Sequence, residues 1–80
     1  MITLYDFIGM NDQQKGEATF ANECLGDRQE NGQHIQLYRI GEFYVEVFYD
    51  PIANQITRFR PFTTKELLIP YINITDGFVQ

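Results

Sequence analysis

The stretch from Phe43 to Phe62, FYVEVFYDPIANQITRFRPF, constrains the fold more than any other part of the chain. Aromatic and β-branched residues crowd both sides of a break at Asp50-Pro51-Ile52-Ala53-Asn54, which predicts two strands folded back on each other. Side chains alternate between the two faces of a strand. That alternation assigns Val45, Val47 and Phe59 to a core face, and Tyr44, Glu46, Phe48, Arg58 and Arg60 to an outer face. An odd-sized loop brings Glu46 opposite Arg58 or Arg60, a cross-strand pairing worth roughly 0.2–1 kcal/mol. Pro51 has no amide to donate to a ladder and belongs in the turn. On this assignment Val47→Asp is expected to unfold the domain, whereas Phe48→Asp leaves it folded with altered association.

The N-terminal third reads as helical. Thr3 is placed to cap a first short helix, with Asp6 three residues on to answer it and Ile2 and Phe7 as flanking apolar contacts. Gly9 ends it. Asn11 with Gln14 repeats the capping pattern for a second helix running to about Asn22, interrupted by Gly16, which costs around 1 kcal/mol relative to alanine. Cys24 to Gln29 is a weak strand whose interior Gly26 suggests an edge position or a bulge. Asn31-Gly32 predicts a type I′ hairpin turn into a strand from His34 to Ile40, and Gly41-Glu42 a type II′ turn into the strand that begins at Phe43. Two registers are open for 34–40. A two-residue turn puts Tyr38 and Ile40 on the core face. One extra loop residue puts Ile35 and Leu37 there instead, and this second register separates apolar from polar more cleanly and is the expectation.

Beyond the hairpin, Thr63-Thr64-Lys65-Glu66 reads as a third capping box, opening a helix with Leu67, Leu68 and Tyr71 on one face and a stop near Ile69, ahead of Pro70. The residues from Asn73 onward are largely polar, and whether they fold over the outer sheet face is left open. The order of elements predicts a single α+β domain over residues 1–80. It consists of an antiparallel β-meander of three to four strands, with two short N-terminal helices and one C-terminal helix on one face.

Eighty residues suffice for one modest core, and an apolar fraction of 44% with 15% aromatics indicates a folded globule. Cys24 is the single cysteine, which excludes an internal disulfide and fits a reducing cytoplasm. No apolar run is long enough to span a membrane, and the N-terminus lacks the features of a signal peptide. Eleven acidic against six basic residues give a net charge of −5, which argues against a nucleic-acid backbone as ligand and admits a basic protein partner.

Chemistry-bearing motifs are sparse. His34 and Cys24 stand in no metal-ligand spacing, and the predicted register places Cys24 near Arg39, away from His34. Glu46 and Asp50 are about 13 Å apart along one strand, too far for paired carboxylate chemistry. The glycines form no phosphate-binding loop, and no cofactor is indicated. An enzyme requires Glu46, Tyr44 and His34 to converge around a cleft. The outer face, with Tyr44, Glu46, Phe48, Arg58 and Arg60, has the aromatic and arginine composition of binding hot spots. The expectation is therefore a non-catalytic interaction or self-assembly module, a dimer or a binder of another protein, using this exposed face. The alternative is an acidic, immunity-like inhibitor of a basic protein.

The strand FYVEVFYD, the run Ile56-Thr57-Arg58-Phe59-Arg60-Pro61-Phe62 and the ending Leu68-Ile69-Pro70-Tyr71 together resemble a group of small bacterial proteins with no assigned activity. The resemblance covers about half the chain, and its motifs are structural. It implies a bacterial cytoplasmic origin and a stand-alone domain, and brings no site residues with it.

Overall fold

The computed structural model describes residues 2–71. Helix α1 (Leu4–Ile8) and helix α2 (Asp12–Phe20) precede four strands: β1 (Cys24–Glu30), β2 (Gln33–Ile40), β3 (Phe43–Asp50) and β4 (Gln55–Phe62). A 3-10 segment, Lys65–Tyr71, follows. The strands form one antiparallel sheet in chain order, so the α+β meander read from the sequence is the fold. The question of where the residues after Asn73 run lies outside the described residues.

The turns set the register. Asn31 and Gly32 both take positive φ, at 52° and 79°, as a type I′ turn requires. Gly41 alone does so in the next turn, at 59°, and Ile40 pairs directly with Phe43. That two-residue connection corrects the register expected for 34–40: Tyr38 and Ile40 share a face with Val45, while Ile35 and Leu37 lie opposite, alongside Glu46 and Phe48. Parity is decided by the tight glycine turn. The apolar pair is not stranded by it, because Ile35 and Leu37 are buried on the second face as well.

In the β3–β4 hairpin Asp50 pairs with Gln55, and the Asp50 carboxylate accepts the amides of Ile52 (2.9 Å) and Ala53 (3.3 Å) to hold the four-residue turn. Without correction, that even-length turn would set Glu46 opposite Phe59. A bulge at Thr57 inserts one residue, so that Phe48 meets Arg58 and Glu46 meets Arg60. A second bulge at Leu25 moves Cys24 from the expected Arg39 to Tyr38.

One sheet face carries the main core. Phe7 of α1 is fully buried against Tyr38, Ile40, Phe43, Val45 and Val47, with Leu4, Ala18 and Phe59 packed around them. The Phe7 ring meets Phe43 and Phe59 edge-on, at centroid separations of 5.6 and 6.4 Å. Helices this short do not persist alone. Each is started by a reciprocal capping box, Thr3 with Asp6 and Asn11 with Gln14, and is then held by this packing. A Cβ added at Gly16 would meet only Phe20 and Phe59 side-chain atoms at 3.7–3.8 Å, ordinary contact distances. Gly16→Ala is therefore expected to stabilise the domain by about 0.5–1 kcal/mol through helix propensity, read as an upward shift of the urea midpoint.

The third helix departs from expectation in type and position. Pro70 lacks an amide, and in an α-helix its ring would collide with the carbonyl four residues back; the chain winds as a 3-10 segment, with the Leu67 amide donating to the Thr64 carbonyl at 3.2 Å. It does not join α1 and α2 on the first face. Tyr71 lies over the second one, where its ring takes the space left by Gly26: a Cβ there would stand 3.3 Å from the Tyr71 Cδ1. The sheet thus has covering elements on both sides.

Candidate functional site

The register gathers Tyr44, Glu46, Phe48, Arg58 and Arg60 on the second face, as the alternation predicts. They do not form a solvent-facing patch. Glu46 is 0% exposed and Phe48 9% exposed, Tyr44 and Arg60 are half-buried, and Arg58 alone is exposed. The expectation of an exposed sheet face is corrected accordingly, because Arg28 and Tyr71 close over its centre.

Glu46 is the hub. Its Oε1 accepts from Arg60 Nε at 2.9 Å and from Arg60 Nη2, while Oε2 accepts from Arg28 Nη2 at 3.0 Å, Arg28 Nε at 3.3 Å and the Tyr71 hydroxyl at 2.5 Å. Arg28 in turn bridges to Glu30. Burial alone would raise the Glu46 pKa, but hydrogen bonds from Tyr71, Arg60 and Arg28 outweigh it and hold the carboxyl below its usual value. Burial, reinforced by the Glu46 carboxylate, pushes the Tyr71 phenol well above its usual range, so it remains a donor. A carboxylate charged and saturated in this way is an ion-pair centre, with no lone pair left for a substrate proton.

Around the hub, arginines lie over aromatic rings. The guanidinium carbons of Arg58 and Arg60 stand 5.3 and 5.7 Å from the Phe48 centroid. Arg39 stands 5.8 Å from the centroid of Tyr44, which stacks on Phe62. All four arginines are thus on this face. Arg28 was missed in the sequence because its strand is weak and polar, yet the Asn31-Gly32 turn alone sets Arg28 beside Ile35 and hence beside Phe48. No sequence signal pointed to Tyr71, whose place depends on the 3-10 path.

His34 lies on the other face, paired with Tyr49, its Nε2 2.8 Å from Asp27 Oδ2. The set Glu46, Tyr44 and His34 therefore does not converge. Cys24 is exposed, its thiol 3.3 Å from the Gly26 carbonyl oxygen. Among the described residues, no three His, Cys, Asp or Glu side chains are grouped to hold a metal ion, and no helix is long and apolar enough to cross a membrane.

Besides a hollow of about 450 Å³ bordered by Ile2, Leu4, Glu42, Phe43 and Thr63, two adjoining concave surfaces lie on the helix-covered face. Helix α1 packs on Phe43 and Phe59 through Phe7, and α2 meets Tyr38 through Phe20, whereas His34, Val47 and Tyr49 border a hollow. A groove of about 580 Å³ runs between α2 and β4, bordered by Asp12, Gly16, Glu17, Phe20, Ile56 and Phe59. A second hollow of about 300 Å³, bordered by His34, Val47 and Tyr49, meets it at Phe20 and Ile56. Those two apolar side chains are 47% and 41% exposed. Period-two alternation puts Ile56 in the row of Arg58 and Arg60; the Thr57 bulge brings it instead beside Tyr49, on the helix-covered face.

No family model, no curated protein and no solved structure matches the chain.

Proposed function

We propose that this protein is a small non-catalytic interaction module of the cytoplasm, and that its contact surface is the grooved part of the helix-covered sheet face. The observation that carries the reading is the exposed pair Phe20 and Ile56, set between two adjoining hollows. Exposed aromatics beside a concave apolar floor are the composition of interface hot spots. Glu46 is held in its ion cluster, and His34 pairs with Asp27.

Self-assembly along a sheet edge is the weaker form of this reading. Both edge strands carry a bulge, β4 contains Pro61, and β1 presents Asp27, Arg28 and Glu30, all devices that discourage strand-to-strand pairing. The test is a photo-activatable phenylalanine analogue placed at Phe20 and, separately, at Leu25 on the far edge of the sheet, in the full chain expressed in its source cells. Discrete adducts are expected from position 20 and not from 25. Equal labelling at both positions, or none at either, would sink the reading.

A further inference from the structure

The groove between α2 and β4 is bordered by charged side chains of unequal number. Asp12 and Glu17 stand on its α2 wall, and neither carboxylate has an ion-pair partner among the described residues. Most of the cations are engaged away from them. Arg28 and Arg60 are turned into Glu46 on the opposite face, Arg39 donates to the Gly41 carbonyl at 2.8 Å, and the Lys15 ammonium lies 5.7 Å from the Phe7 centroid. Arg58 borders the groove, but its guanidinium lies over Phe48 on the second face. The groove therefore has an apolar floor, with Phe20, Ile56 and Phe59, under a rim of two carboxylates and one guanidinium, a net negative edge.

We infer that this groove binds a short segment of another protein in which apolar side chains alternate with arginine or lysine. The inference rests on the interaction-module reading and deepens it. Apolar side chains enter the two hollows on either side of Phe20, where their burial supplies the affinity; the cations meet Asp12 and Glu17, supplying selectivity and a fast encounter. A second copy of this chain is a poor occupant, because each copy carries a net charge of −5 and its arginines are already engaged. A polyanion is repelled by the same rim.

The test uses three fluorescein-labelled octapeptides in which leucine alternates with arginine, serine or glutamate, titrated into the full chain by anisotropy, with amide chemical shifts recorded in parallel. The arginine peptide is expected to bind most tightly, to shift amides of α2 and β4, and to lose affinity about tenfold on Glu17→Lys, a loss of roughly 1.4 kcal/mol by the standard conversion. Glu66→Lys, the same change of charge on the 3-10 segment, is expected to leave binding unaltered. Equal affinity for the arginine and serine peptides, equal sensitivity to the two charge reversals, or shifts confined to the second face would each overturn the inference. Photo-adducts at position 20 with no binding of the arginine peptide would overturn it while leaving the interaction module standing. A wild-type dimer by light scattering that Phe20→Asp converts to a folded monomer would also overturn it, in favour of a second copy.

Discussion

Glu46→Ala is expected to lower stability by about 3 kcal/mol, the low end of the roughly 3–5 kcal/mol that follows removal of one partner from a buried ion pair. The loss comes from Arg28 and Arg60, whose charges are left without a counter-ion; their side chains are 17% and 30% exposed, so water recovers part of the cost. A domain of this length has only about 4–12 kcal/mol in total, and the urea midpoint should fall by roughly 2–3 M. Replacing Glu46, Arg28 and Arg60 together by apolar residues of similar volume should cost much less, because no charge is then left unpaired. If the single and triple variants melt alike, or Glu46→Ala is neutral, the cluster is not buried as described.

The same residue gives a pH dependence of definite sign. The folded-state pKa of Glu46 is lowered, so its contribution is complete above the unfolded glutamate value of about 4.3. It disappears as pH falls through the lower folded value. The stability difference between wild type and Glu46→Gln should therefore be constant near neutrality and narrow on acidification below about pH 4. A difference that widens with acid would contradict the assigned direction.

Phe7→Ala and Phe48→Ala, one from each sheet face, are expected to cost about 3–5 and about 3 kcal/mol respectively. Phe7 is fully enclosed and is the anchor of α1, a helix of five residues. Its loss should undock that helix as well as open a cavity, so protease sensitivity near the N-terminus should rise along with the fall in urea midpoint. Phe48 is flanked by two guanidiniums and packed beside Ile35, so its ring contributes both buried area and cation–π attraction. Alternation alone assigns Phe48 to solvent and expects its substitution to spare the fold. A melt of Phe48→Ala indistinguishable from wild type would restore that assignment and remove the second layer.

Local rules carried most of the architecture. The capping pairs Thr3–Asp6 and Asn11–Gln14, the Asn31-Gly32 turn and the alternation of β3 are each decided within a few residues by backbone hydrogen bonding and steric preference. All are present as read. The shared face of Tyr44, Glu46, Phe48, Arg58 and Arg60 was legible for the same reason, with Glu46 opposite Arg60. The parity behind it depends on the Thr57 bulge, which no dipeptide announces.

What the chain could not show locally was which face would be covered. Polar and charged side chains on a strand read as solvent-facing, because burying an isolated charge is prohibitive. Here a carboxylate, two guanidiniums and a phenol arrive from four separate elements and cancel that cost together, so a face that is charged in sequence is buried in space. By itself the sequence determined the two capped helices, the four strands, the hairpin turns and the alternation along β3, since these depend on interactions within a few residues. The tertiary structure alone decided that Tyr71 closes the second face and that Phe20 and Ile56 are left open on the first. Both outcomes depend on where the ends of short helices fall relative to strands distant in the chain.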